Sequence, residues 1–146
     1  IPRAKKKADS IHIKYRQSLI DGIRSVSEIE KIEEENFVII NARDRIKDTM
    51  IGTVTSIITN SPMYRVGTSI FSLAYDHEDS TKIKVSARIV GREGRNLREI
   101  LAKVIDEIGG EVGGHEFAAG CTFSRDKEKE FIDAIRKIFE MEIIKI

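Results

Sequence analysis

The chain has 146 residues, of which 40% are hydrophobic and 34% charged, and its formal net charge is +1. This length suits one compact domain with a real core. The near-neutral charge excludes a strongly basic molecule, so any grip on nucleic acid must come from a local patch. A single cysteine excludes an internal disulfide and is typical of a reducing cytoplasm. No apolar run approaches membrane-spanning length, so we expect no membrane partner.

Two further features concern the origin of the chain. Isoleucine, lysine and glutamate are abundant and tryptophan is absent, a composition typical of thermophiles. The sequence begins with Ile1 rather than methionine, so we expect a fragment or a processed chain.

The first third of the chain contains helical and extended patterns. Apolar residues recur at helical spacing from residue 3 to about residue 34, which predicts one or two helices. The β-branched and aromatic run Phe37–Ile40 predicts a buried strand. Met50–Ile58 predicts a helix, with Asp48 or Thr49 as its N-cap.

The rest of the chain predicts strands and helices in alternation. The predicted elements are, in order, strands at Thr68–Tyr75 and Ile83–Val90, a helix from Arg95 to the Gly109-Gly110 pair, a strand at about Ala118–Phe123, a helix from Asp126 and a short strand at Met141–Ile146. This order predicts an α/β fold, in which helices flank a mixed β-sheet and an N-terminal linker helix precedes it. We expect a helical linker at residues 1–35 and the α/β domain at residues 36–146.

A glycine-rich segment before the strand at Ala118 has the strongest local pattern. Gly113 and Gly114 precede His115, and small residues follow at Ala118, Ala119 and Gly120. Glycines allow the backbone to approach a ligand closely, and successive amides in such a turn can bind an anion. The imidazole can donate a hydrogen bond to phosphate or carry a proton near neutral pH. A tight turn with a surface histidine is an equally good interpretation of the spacing alone.

Two shorter patterns could join this segment. Ser86 and Arg88 lie at the end of a predicted strand, where a guanidinium can bind phosphate in bidentate fashion. Ser56 ends the stretch Ile51–Ser56, which we expect at the start of a helix, where unpaired amides attract anions. Taken alone, each pattern also fits a structural role: a surface arginine on a strand, and a helix that packs closely through Gly52.

Together, the three patterns resemble the C-terminal DHH-associated domain of RecJ-like exonucleases and related DHH-family phosphoesterases. Gly113 to Gly120 resembles the family's G-G-G-H-x-x-A-A-G motif, and Ser86-Ala87-Arg88 resembles its S-x-R strand end. Ile51 to Ser56 resembles the I-G-x-V-x-S helix. The three blocks occur in family order and span roughly residues 37 to 139. The composition further suggests an archaeal member.

The resemblance implies a division of labour. In this family a separate N-terminal DHH domain holds divalent metals, usually manganese, and the C-terminal domain positions single-stranded DNA or RNA. The implied catalytic residue is His115, and the implied phosphate-binding residues are Gly113, Gly114, Arg88, Ser86 and Ser56. This chain carries no metal ligands of that kind and should hydrolyse nothing alone, whereas the parent protein would be a metal-dependent phosphodiesterase.

Three positions depart from the family pattern. Val112 replaces a third glycine, Ile57 replaces an arginine after Ser56, and Ile89 replaces a serine after Arg88. The missing arginine argues against selective recognition of a 5′-terminal phosphate. We also interpret His77, in Asp76-His77-Glu78, as a solvated turn residue and not as part of a metal-binding Asp-His-His motif.

Other interpretations stay open at this point. Arg92 and Arg95 could extend a nucleic-acid track or could form a salt-bridged helix start. The parent protein could instead cleave short RNA or cyclic dinucleotides, or could be a non-catalytic scaffold that binds archaeal replisome proteins. The related C-terminal domain of alanyl-tRNA synthetase fits less well, because His115 is typical of the nuclease branch.

Overall fold

The computed structural model describes the backbone of residues 2–144 and the side chains of residues 13–141. Within this part of the chain, six strands form one sheet and four helices cover it. The elements are, in chain order, α1 (Pro2–Ser25), β1 (Glu30–Glu33), β2 (Phe37–Arg43), α2 (Asp48–Thr59), β3 (Ser69–Tyr75), β4 (Lys82–Ile89), α3 (Leu97–Ile108), β5 (Glu111–Gly114), β6 (Ala118–Ser124) and α4 (Glu128–Ile144).

The sheet is mixed, as the sequence predicts, with strand order β1-β2-β3-β4-β6-β5. Strands β2 and β3 are parallel because α2 returns the chain across the sheet between them. The other neighbouring pairs are antiparallel. No helix in the described part of the chain is long and apolar enough to cross a membrane.

Two apolar clusters hold the helices on opposite faces of the sheet. On one face, residues of β3, β4 and β6 pack against α3 and α4, and this cluster includes Phe71, Val85, Leu101, Phe123 and Phe131. The rings of Phe123 and Phe131 stack with centroids 4.7 Å apart. On the other face, a second cluster joins α2 to β2 and β3 and includes Ile40, Ile51, Val54 and Ile70.

Helix α2 covers only part of its face of the sheet. On β4, β6 and β5 the residues on the α2 side are mostly exposed or half-buried, while their alternate neighbours are buried beneath α3 and α4. We call this side of the three strands the open face, although Ser86 on it is buried and lies next to α2. Its residues are Lys82, Lys84, Ser86 and Arg88 on β4, Ala118, Gly120 and Thr122 on β6, and Glu111 and Gly113 on β5.

The N-terminal prediction is right as far as Ser25 and wrong beyond it. A single 3-10 turn at Val26–Glu28 follows α1, and Glu30–Glu33, predicted as helix, is strand β1. This short strand lies at the sheet edge and pairs with β2, so its charged side chains remain in solvent. Pairing with β2 outweighs helical propensity here.

Three details of the later elements also differ from prediction. Helix α2 is capped by Lys47, without a side-chain hydrogen bond, rather than by Asp48 or Thr49. The predicted glycine-rich loop contains strand β5, which forms a hairpin with β6. The predicted strand at Met141–Ile146 is wrong through residue 144, because α4 continues to Ile144. Residues 145 and 146 lie outside the described part of the chain.

Candidate functional site

Arg88 and Ser86 lie side by side on the open face, at the end of β4. They alternate with Ala87 and Ile89, which are buried in the opposite cluster, so their side chains face α2. A Cβ built on Gly52 would lie 3.6 Å from Ser86 Oγ and 4.0 Å from Arg88 Nη2. The glycine therefore leaves a space of about one methyl group between α2 and these two side chains, so the helix packs closely there, as one interpretation of Gly52 predicts.

The Arg88 guanidinium is not fully paired. Its Nε is buried and has no hydrogen-bond partner among the described residues. A buried donor without an acceptor costs about 1–3 kcal/mol, and a charged donor costs more. Such a cost is expected where the donor serves a ligand, and a guanidinium beside a hydroxyl suits a phosphate oxygen.

The glycine segment forms a tight hairpin next to this pair. Gly114 ends β5 with φ +102°, and a Cβ there would approach Ala118 O to 2.5 Å, so glycine is required. A Cβ added to Gly113, by contrast, would have no atom within 4 Å, and this residue lies open to solvent. The first glycine leaves space on the open face, and the second forms the turn.

Ala118 connects the hairpin to Arg88. Its carbonyl accepts a hydrogen bond from His115 N at 2.8 Å, and it is the antiparallel partner of Arg88 on β4. Two strand spacings, about 10 Å, separate β4 from β5. His115 is exposed, and Arg88 is half-buried. The structure thus places both residues at the same end of β6, one on each side of that strand.

His115 also borders a separate depression. An open cleft of about 420 Å³ is lined by Gly114, His115 and Glu116 together with Asn96, Arg98 and Glu99 of the α3 start. The hairpin is fixed there because Leu97 N donates to Glu116 O at 2.7 Å, and Ile89 N donates to Phe117 O at 3.2 Å. The imidazole is therefore carried on a turn bonded to both α3 and β4.

Ser56 lies inside helix α2 and not at the helix start that the sequence analysis predicts. Helix α2 starts at Asp48, so Ile51–Ser56 lies within the helix and its amides are not those of a helix start. Asp48, an acid, occupies the first turn. Ser56 is half-buried and lies one turn beyond Gly52 on the same helix face, so it could contribute a hydroxyl but no free backbone amide.

The two arginines of the predicted track diverge from Arg88. Arg92 is exposed in the loop after β4. The Arg95 guanidinium lies 4.8 Å from the ring centroid of Phe139, in the cluster beneath α3 and α4. Packing on Phe139 gives Arg95 a structural contact on the face opposite the open face, and the track through it stays a prediction.

One polar pair was missed by the sequence analysis. His77 Nδ1 lies 2.7 Å from Asp48 Oδ1, and this carboxylate is buried while the imidazole is half-exposed. With Asp76, these side chains offer ligand atoms within 4.8 Å of one another, a group that could hold a metal ion. Asp76 already accepts two backbone amides, from Glu78 and Asp79. The group is therefore satisfied internally and lies about 20 Å along β3 from the Arg88 row.

Cys121 is a buried core residue. It lies buried on β6 in the cluster under α3, and burial raises the pKa of its thiol to about 12. A protonated thiol without a base beside it is not a nucleophile.

The DHHA1 domain family matches residues 34–141. The chain belongs to the DHHA1 domain family. An uncharacterized protein of Methanocaldococcus jannaschii is 31% identical over 128 residues, which cover 85% of this chain. The chain spans about a quarter (26%) of that relative's length.

Two solved structures show how widely the DHHA1 fold is used. RecJ from Thermus thermophilus, in complex with Mn2+, has a TM-score of 0.66 at 16% identity and covers 91% of this chain, which spans 18% of RecJ. The pGpG-specific phosphodiesterase PggH from Vibrio has a TM-score of 0.58 at 15% identity, with 86% of this chain and 40% of that chain covered. At these identities the similarity shows a shared fold.

Proposed function

We propose that this DHHA1 domain binds the sugar-phosphate backbone of single-stranded DNA or RNA for a metal-dependent phosphodiesterase. We call the binding site the phosphate cradle; it consists of Arg88, Ser86, Gly113, Gly114 and His115, with Ser56 beside them. The observation that carries this proposal is the buried Arg88 Nε without a protein acceptor, in a guanidinium whose Nη2 borders the space beside Gly52. An anionic oxygen would satisfy it.

The hydrolytic step itself belongs to residues outside this chain. The family resemblance implies a DHH domain that supplies manganese, which would activate water. The described group Asp48, Asp76 and His77 does not fit that task, because Asp48 and His77 are bonded to each other, Asp76 accepts two backbone amides, and the group lies far from Arg88. We therefore assign to this chain only the holding and alignment of the phosphate, which can supply much of a phosphoryl-transfer rate.

His115 has the role most directly tied to turnover. It is exposed on a rigid turn, so its ring can donate a hydrogen bond to the phosphate at the bond to be cleaved. In the protein that contains both domains, His115→Ala should lower kcat more than it raises KM. Equal kcat in that variant would refute the assigned role and would leave phosphate binding to Arg88 intact.

Binding by the chain itself is the first test of the proposal. Fluorescence anisotropy with a labelled single-stranded dodecamer should show weak binding that falls steeply with salt. Arg88→Met should abolish most of it, whereas Arg136→Met, on the exposed side of α4, should bind like the wild type. Binding that is absent in the wild type, or equal in the two variants, would contradict the proposal.

A second candidate is a phosphodiesterase for short RNA or cyclic dinucleotides. The fold shared with PggH, described as pGpG-specific, supports it. In that case, a dinucleotide should bind the chain as tightly as a dodecamer. A steady rise of affinity with length would instead favour the exonuclease.

A further inference from the structure

Strand β4 carries a column of polar side chains that extends away from the phosphate cradle. Lys82, Lys84, Ser86 and Arg88 occupy alternate positions and therefore share the open face. Successive members are about 6.7 Å apart along the strand, and the whole column is about 20 Å long. This interval is comparable to that between neighbouring phosphates of an extended single strand.

The surface beside this column carries mainly small side chains. The β6 partners of Arg88, Ser86 and Lys84 are Ala118, Gly120 and Thr122, in that order. Beyond them, Gly113 on β5 has open space at its Cβ position. Small residues in two adjacent strands leave room for nucleotides to lie against the sheet. The open face has no aromatic side chain, so stacking cannot supply the affinity there.

Lys84 is the cation best placed to use this space. It is exposed and has no ion-pair partner among residues 13–141. Near the other edge of the sheet, by contrast, two exposed arginines are paired: Arg43 with Glu30 at 2.9 Å and Arg45 with Glu28 at 3.0 Å. An unpaired lysine in line with Arg88 is available to an external anion.

Lys82 marks the end of the column. Its amide donates to Asp79 O at 3.0 Å, and the Asp79 carboxylate lies close enough to offset part of the Lys82 charge. Glu111, exposed on β5, adds a negative charge two strands away in the row of Lys84, because both residues pair with Thr122 on β6. The positive potential therefore falls off past Lys84, which limits the length of strand that the surface can hold.

From this arrangement, we infer that single-stranded nucleic acid lies along β4, with one phosphate in the cradle and the next ones at Lys84 and Lys82. The inference rests on the proposed function, and it adds the path and the length of the bound strand. Contacts would be made to about three or four phosphates and not to bases, so sequence preference should be low.

A length series tests the path. Labelled oligothymidylates and oligouridylates of two to eight nucleotides are titrated against the 146-residue chain. For the wild type, we expect affinity to rise up to about four or five nucleotides and then to level off. Lys84→Gln should weaken tetramer binding roughly two- to fivefold but leave dinucleotide binding unchanged. It should also reduce the slope of log K against log salt by about 0.7 for single strands.

Lys103→Gln is the matched control, because Lys103 is an exposed lysine of α3 on the opposite side of the sheet. It should behave like the wild type, Lys84→Arg should restore tetramer binding, and thermal unfolding should be the same for all variants. Wild-type length dependence that persists unchanged in Lys84→Gln would overturn the path while leaving the cradle in place. A wild type that binds neither dinucleotide nor octamer would overturn the proposed function and the path together.

Discussion

The Gly52→Ala substitution tests whether helix α2 is less stable than it could be because a glycine keeps the phosphate cradle open. Glycine inside a helix is about 1 kcal/mol less favourable than alanine, and Gly52 is the fifth residue of α2. An added Cβ would meet Ser86 Oγ at 3.6 Å and Arg88 Nη2 at 4.0 Å, which are ordinary contact distances. Gly52→Ala should therefore raise the free energy of unfolding by about 0.5–1 kcal/mol and Tm by about 3 °C.

The same methyl group would occupy the space beside Arg88 Nη2, where we expect a phosphate oxygen to approach the guanidinium. We expect Gly52→Ala to weaken oligonucleotide binding about fivefold or more, measured by anisotropy. Gly22→Ala in α1 is the control, because its Cβ would meet Val54 Cγ2 at 3.4 Å, far from the cradle, and should add stability without loss of binding. A lower Tm for Gly52→Ala, or unchanged binding, would refute this account of the glycine.

Three further predictions concern the hairpin, a turn and the core. Gly114→Ala should cost several kcal/mol in chemical denaturation, because its Cβ would lie 2.5 Å from Ala118 O, whereas Gly113→Ala should unfold like the wild type but bind oligonucleotide less well. Two backbone hydrogen bonds hold the pKa of Asp76 below its ordinary value, so its contribution to stability is complete above about pH 4 and is lost as pH falls. In Asp76→Asn, Tm should therefore fall less between about pH 5 and about pH 2 than it does in the wild type. The same fall of Tm in both proteins would contradict this. Burial raises the pKa of Cys121 to about 12, so iodoacetamide at neutral pH should label it only after unfolding; rapid labelling of the native chain would show that the thiol is accessible.

The elements that the sequence predicts correctly are those in which the spacing of apolar residues along the segment determines the secondary structure. The apolar stripe of α3 and the β-branched run of β2 were predicted because burial of one helix face or one strand imposes that spacing. Strands β1 and β5 were not predicted, because each lies at a sheet edge. Glu30–Glu33 is polar and Glu111–Gly114 is half glycine, and only pairing with a neighbour makes each a strand.

Some residues of the candidate site could also be found from the sequence, and others could not. Arg88, Ser86 and His115 were found because they resemble a family motif with local spacing. The contact between Asp48 and His77 was not found, because 29 residues separate them and α2 alone brings them together. Lys84 was not singled out either, because a lysine on a strand has no distinguishing pattern until the sheet shows which face is uncovered.

The most direct test of the account is the affinity of Arg88→Met for single-stranded oligonucleotide, measured together with its stability. Because Arg88 Nε is buried without an acceptor, we predict that the apolar replacement keeps or raises Tm while binding is lost and little salt dependence remains. A variant that binds as tightly as the wild type would show that Arg88 holds no phosphate. A variant that loses several kcal/mol of stability would show that Arg88 serves the fold instead.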